Sequence, residues 1–150
     1  MTAAVKCIEL CKTYRQGDTD IKALDHLSID VETGGFVCLS SPSGGGKTTL
    51  LNAIGGLDKP DSGEVWVSGQ RVAVARAVVS RPALVLADEP TANLDSKTSD
   101  ALMDLFSELN ERHKTTFIIA THDRRVMAHV PRLIKMLDGR IVNDIAQTPV

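Results

Sequence analysis

The chain has 150 residues, with 17 basic and 19 acidic side chains for a net charge of −2, 43 % hydrophobic and 24 % charged residues, and only 3 % aromatics. That composition suits one compact globular domain and supplies neither a basic field for nucleic acid or an anionic membrane nor an aromatic platform for single-stranded bases. Cys7, Cys11 and Cys38 are too few and wrongly spaced for a disulfide framework or a zinc site and read as reduced thiols of a cytosolic protein; no apolar run is long enough to span a bilayer, and the N-terminal Met-Thr-Ala-Ala-Val-Lys-Cys holds no signal-peptide core.

In chain order, residues 5–14 and 24–31 are rich in strand formers with partial alternation and predict antiparallel strands, separated by the polar stretch 15–20. Thr33-Gly34-Gly35 is a turn, and the apolar run 36–39 predicts a buried strand. Next comes Ser41-Pro42-Ser43-Gly44-Gly45-Gly46-Lys47-Thr48, which fits seven of the eight positions of the phosphate-loop pattern G-x-x-x-x-G-K-[ST], with Ser41 where the first glycine is expected. The glycines let backbone N–H groups wrap a phosphate, and a helix over 48–54 adds its N-terminal partial charge. Lys47 reaches the β- and γ-phosphates, and the Thr48 hydroxyl suits Mg²⁺. Alone, such a cluster could be a mere strand-to-helix turn; the strand before it and Lys-Thr at the required offset argue otherwise.

Gly55-Gly56 ends that helix, residues 59–63 form a turn, and residues 64–67 predict a strand holding Trp66. Residues 71–79 suit a helix closed by Pro82. Residues 84–87 predict a second buried strand, ending in Asp88-Glu89. At a parallel strand's carboxyl end Asp88 faces the ligand crevice and can support Mg²⁺ through water, while Glu89 can orient or deprotonate an attacking water. An isolated Asp-Glu would be two solvated acids; pairing with the phosphate loop gives it meaning. Asp95 or Ser96 can cap a long helix to about His113, with Leu102, Leu105, Phe106 and Leu109 on one face. A third buried strand over 115–120, a short helix over 124–129 and a hairpin across Asp138-Gly139 follow. The pattern predicts an α/β fold with a P-loop NTPase core: a parallel sheet covered by helices, with antiparallel strands added at the N-terminus.

These motifs together resemble the ATP-binding subunits of ABC transporters over essentially the whole chain. Asp88-Glu89-Pro90-Thr91-Ala92-Asn93-Leu94-Asp95 resembles that family's Walker B and D-loop, and Ile118-Ile119-Ala120-Thr121-His122-Asp123 its H-loop, whose histidine contacts the γ-phosphate. Tyr14 stands where the family keeps an aromatic that stacks on adenine; a strand aromatic packed on the core is the alternative. His122 could likewise be a polar loop residue, and Asp95 only a helix cap. Leu51-Asn52-Ala53-Ile54-Gly55-Gly56-Leu57-Asp58 and Asp138-Gly139-Arg140-Ile141-Val142 resemble the branch of lipoprotein-release and macrolide-export ATPases.

The resemblance implies that Tyr14, residues 41–48 and Thr49 bind ATP, that Thr48 and Asp88 hold Mg²⁺, and that Glu89 and His122 are catalytic. It also implies a transmembrane permease partner, dimerisation with another nucleotide-binding subunit, and a cytoplasmic place on the inner membrane through the permease.

One departure stands out. Lys47 and Asp88 are 88 − 47 = 41 positions apart, several dozen fewer than in the family. The missing segment, at about 70–71, would hold the Q-loop, the helical subdomain and the signature Leu-Ser-Gly-Gly-Gln. Ser68-Gly69-Gln70 can be the end of the preceding strand or a remnant of the signature, and Gln70 lies too close to the phosphate loop to be the Q-loop glutamine. The loss would remove the clamp for a partner's ATP, much of the docking surface for a permease, and a core strand, exposing apolar sheet surface. The chain thus reads as a single shortened nucleotide-binding domain that hydrolyses ATP to power export or lipoprotein release. A nucleotide-binding module without turnover is the alternative. A small kinase fits less well, since no acceptor-binding segment is visible.

Overall fold

The computed structural model describes residues 3–42, 46–72 and 84–149. Inward apolar residues build two long strands, β1 (Ala3–Gln16) and β2 (Thr19–Glu32), paired antiparallel. The polar stretch 15–20 does not separate them. Arg15 pairs with Asp20 and Gln16 with Thr19, because Gly17, at φ 63, reverses the chain within two residues. β4 (Ser62–Val67) joins β1, and β5 (Gln70–Arg71) joins β4, giving the order β2-β1-β4-β5.

Ser68 (φ 50) and Gly69 (φ 78) make the two-residue left-handed turn of a tight hairpin between β4 and β5. Ser68-Gly69-Gln70 is therefore the end of a strand and its turn. Arg71 lies in a strand opposite Trp66 and does not begin the helix expected over 71–79, because the hairpin carries its backbone into the ladder. The remainder of that expectation, residues 73–79, lies outside the described residues.

The second sheet has the order β6-β7-β3-β8-β9. β6 (Leu84–Asp88), β7 (Thr116–Ala120), β3 (Phe36–Ser40) and β8 (Arg132–Leu137) run parallel, and β9 (Arg140–Ala146) returns antiparallel across Asp138 (φ 51) and Gly139 (φ 78). α1 (Lys47–Ile54) follows β3 and stops at Gly55. α2 (Ser96–His113) is capped by Asp95, whose carboxylate accepts from the Thr98 N–H at 2.7 Å, and α3 (Arg124–Ala128) by Asp123.

Alternation along the parallel strands feeds two cores. Val37 and Leu39 of β3 and Ile118 and Ala120 of β7 face α1 and the antiparallel sheet, among Leu24, Val31, Leu50 and Ile54. Phe36 and Cys38 of β3 and Phe117 and Ile119 of β7 face α2 and α3, against Met103, Phe106 and Val126. The Phe117 ring lies 4.9 Å from Phe106 and 5.2 Å from Phe36. Each fully buried side chain of this size contributes roughly 1.5–3 kcal/mol of transfer energy.

β6 corrects an expectation. Leu84, Val85, Leu86 and Ala87 are only partly buried, because among the described residues β6 pairs with β7 on one side and with nothing on the other. The parallel order nevertheless places the carboxyl ends of β3, β6 and β7 together, where an α/β sheet opens its crevice.

Candidate functional site

The site begins where β3 ends. Ser41 is buried, with its hydroxyl donating to the Pro42 carbonyl at 3.0 Å, and it does not take a left-handed backbone, so a side chain is tolerated at the first glycine position. Pro42 is exposed; Ser43, Gly44 and Gly45 lie outside the described residues. Gly46 (φ 95) caps α1, and a Cβ there would meet the Ala23 carbonyl oxygen at 2.3 Å, so only glycine fits. α1 starts at Lys47, with its first-turn amides at this loop.

Side chains from three strand ends converge here. The Thr48 hydroxyl donates to Asp88 Oδ2 at 2.7 Å. The Lys47 ammonium lies 3.4 Å from Glu89 Oε1. His122 Nδ1 lies 2.8 Å from the same oxygen, with the imidazole largely exposed. Glu89 takes a left-handed conformation (φ 48), rare for a non-glycine residue, and its N–H donates to the Ala120 carbonyl at 2.7 Å.

Burial opposes the charge on Glu89, but hydrogen bonds from His122 and Thr121 and the nearby Lys47 outweigh it, and the carboxyl is held below its ordinary value. Behind the site, burial pushes the Cys38 thiol up to about 12, which leaves it inert. All three cysteines are free thiols.

The arrangement brings together Lys47, Thr48, Asp88, Glu89 and His122. Downstream, Pro90 to Asp95 form tight turns, Ala92 N–H to Glu89 O and Leu94 N–H to Thr91 O, that lead into the α2 cap. Tyr14 stands apart from this cluster on β1. It is 40 % exposed, so it is not a core residue, and its hydroxyl donates to Asp58 Oδ2 at 2.8 Å.

Sequence reasoning missed Thr121. It is fully buried, its hydroxyl donates to Glu89 Oε2 at 3.0 Å, and it accepts from the Asp123 N–H at 3.0 Å. The available signal was a hydroxyl at the carboxyl end of a parallel strand, directly before the site histidine.

Similarity to known proteins agrees with this geometry. A family model described as ABC transporter matches residues 24–71. The lipoprotein-releasing system ATP-binding protein LolD of Chromohalobacter salexigens is 30 % identical over 221 positions, covering 93 % of this chain and 93 % of that protein. LolD of Saccharophagus degradans is 28 % identical, covering 97 % and 99 %. The macrolide export ATP-binding/permease protein MacB of Rhodopirellula baltica is 28 % identical over 92 % of this chain, which spans only 32 % of that longer protein. A bacterial ABC transporter cassette solved as a dimer superposes with a TM-score of 0.87 at 25 % identity, covering 97 % of this chain and all of that one. The first LolD match runs over 221 positions against 150 residues here, so at least 221 − 150 = 71 of them have no counterpart in this chain.

Proposed function

The chain belongs to the family of ABC transporter ATP-binding subunits, which couple ATP hydrolysis to transport, and on that premise we propose that its site takes Mg·ATP across the carboxyl ends of β3, β6 and β7. The observation that carries the proposal is the convergence of Lys47, Thr121 and His122 on the Glu89 carboxylate, beside the Thr48–Asp88 hydrogen bond.

In this reading the phosphate loop from Ser41 through Gly46, the amides opening α1, and Lys47 cradle the phosphates. Thr48 and Asp88 hold the metal. A hydroxyl and a carboxylate already 2.7 Å apart are hard oxygen donors, and so small a protein set suits magnesium, which keeps water and phosphate oxygens as its other ligands. Bound there, magnesium neutralises phosphate charge. Glu89 accepts a proton from the attacking water, and His122 orients the carboxylate and steadies the γ-phosphate. Lys47, whose ammonium lies 3.4 Å from Glu89, is in this reading the group that reaches the β- and γ-phosphates. Tyr14 stacks on the base.

The partners follow from the family: a second nucleotide-binding subunit and a transmembrane permease that holds this chain at the cytoplasmic face of the inner membrane. No helix among the described residues is long and apolar enough to cross a membrane. Export or lipoprotein release is the work it would power. The 71 or more unmatched positions support the reading of a single domain missing its Q-loop, helical and signature segment near 70–71, where the family-model match also ends. A homodimer then has no complete composite site, which favours the second reading, nucleotide binding without turnover. A full-length partner could still close its own signature over this phosphate loop.

Titration calorimetry with Mg·ATP tests the first step: Lys47→Ala weakens binding most among single changes, and equal affinity of both proteins would refute the site. Steady-state phosphate release, with and without a full-length relative and with Glu89→Gln as control, separates the two readings. Loss of a preorganised donor set costs about a hundredfold to a thousandfold in rate, so brisk release by the chain alone would show the signature to be dispensable.

A further inference from the structure

The assigned roles leave unexplained a compact polar cluster that shares no hydrogen bond with the Glu89 site among the described residues: Lys12 and Tyr14 on β1, and Asp58 and Asp61 in the loop before β4. Lys12 and Tyr14, two apart on a strand, share one face. Lys12 Nζ lies 5.4 Å from the Tyr14 ring centroid, so an ammonium covers one face of the ring. The same Nζ donates to the Lys59 carbonyl at 2.9 Å and lies 3.4 Å from Asp58 Oδ1 and 3.6 Å from Asp61 Oδ1. Asp58 is fixed in turn, its N–H donating to the Asn52 carbonyl at the end of α1, while Asp61 Oδ2 accepts from the Thr13 N–H at 2.7 Å.

Tyr14 sits near the exposed end of β1, opposite Ile21, where a strand side chain would ordinarily move among rotamers. Here its hydroxyl is tied to Asp58 at 2.8 Å. Because the Asp58 N–H is bonded to the Asn52 carbonyl of α1, the phenol is registered through Asp58 to the helix that carries Lys47 and Thr48.

We propose that Asp58 and Lys12 are positioning residues for nucleotide-base recognition: they lock the Tyr14 ring, which is covered on one face by Lys12 and 40 % exposed, in place for a planar base. This deepens the reading of Tyr14 as the base contact and rests on it. Neither residue touches the nucleotide. Their contribution is preorganisation, the freedom of one ring removed before the base arrives, and an effect of that kind is worth about twofold to tenfold in affinity.

The experiment compares Mg·ATP with Mg·tripolyphosphate, which keeps the phosphates and lacks a base, by titration calorimetry on the full chain. Asp58→Ala and Tyr14→Phe are each expected to weaken Mg·ATP about twofold to tenfold and to leave tripolyphosphate unchanged. Added to Tyr14→Ala, Asp58→Ala should cost nothing more, since no ring remains to be held. Asp58→Asn, which keeps an acceptor for the phenol, should lose less and serves if Asp58→Ala does not fold. Equal losses for both ligands, or a normal Mg·ATP affinity in Asp58→Ala while Tyr14→Ala is weakened, would overturn the clamp alone. An unchanged Mg·ATP affinity in Tyr14→Ala would overturn the base contact itself, and the clamp with it.

Discussion

β6 and β7 lie side by side in parallel register, and as sequences they are near equals: Leu-Val-Leu-Ala-Asp and Thr-Phe-Ile-Ile-Ala. Every residue of β7 is buried, whereas none of β6 is. β7 runs between β3 and β6 with both faces covered, and β6 is outermost among the described residues. An apolar run therefore reports that a strand can be buried, and its position in the sheet decides whether it is. The chemistry is divided along the same line. β6 leads to Asp88 and Glu89, and the buried strand leads to three of the groups that hold Glu89, the Ala120 carbonyl, Thr121 and His122, with Lys47 of α1 as a fourth. The less buried half of the site is thus held by the more buried half.

Truncation is the strongest way to break this comparison. Phe117→Ala on β7 empties a space between two aromatic rings and should cost about 3–5 kcal/mol in urea unfolding. Leu86→Ala on β6 should cost about half as much, and equal costs would show that β6 is covered as well as β7. Thr121→Val removes the brace with little change of volume and leaves the Asp123 N–H and Glu89 Oε2 each short of a partner. A loss of about 1–2 kcal/mol is expected, together with faster amide hydrogen exchange in β6 than in β7. The smallest effect is one of pH. Glu89 is held below its ordinary 4.5, so its ionised form stabilises the fold above that value and this contribution is lost as pH falls through the lowered value. The stability gap between wild type and Glu89→Gln should accordingly narrow on acidification below about 4.5. A constant gap down to full acid unfolding would show that Glu89 is not ionised against its partners on β7.

Much of this was legible in the sequence. Asp138-Gly139 signals a hairpin, Asp95 or Ser96 a helix cap and the glycine loop before Lys47-Thr48 a helix start because each works through local backbone chemistry, and the structure shows the hairpin, the Asp95 cap and the helix. The site residues at the ends of β6 and β7 were legible for a related reason: parallel strands gather their carboxyl ends. What escaped depends on contacts distant in sequence. Nothing near residue 84 tells how many neighbours β6 will find. The roles of Thr121 and Asp58 exist only once Glu89 and Tyr14 are folded against them, 32 and 44 positions away respectively. Arg71 falls in a strand although Arg-Val-Ala-Val-Ala is compatible with either period, because the two-residue turn before it takes the chain into a ladder.

The backbone at Ala23 bears on when the molecule can be finished. A Cβ on Gly46 or on Gly139 would strike the same carbonyl oxygen, at 2.3 and 2.7 Å, and the Asp25 N–H donates to the Gly139 carbonyl at 3.0 Å while Arg140 pairs with the Asp25 carboxylate at 2.7 Å. The floor beneath the phosphate loop is therefore closed by a turn 139 − 23 = 116 positions later in the chain. On a ribosome adding about 5–20 residues per second, that turn emerges roughly 6–23 s after Ala23. Until it does, β2 lacks the contact that Gly139 makes at Ala23 and Asp25. The backing of Ala23, against which Gly46 packs, is thus completed late in synthesis, well after Lys47 and Thr48 are made.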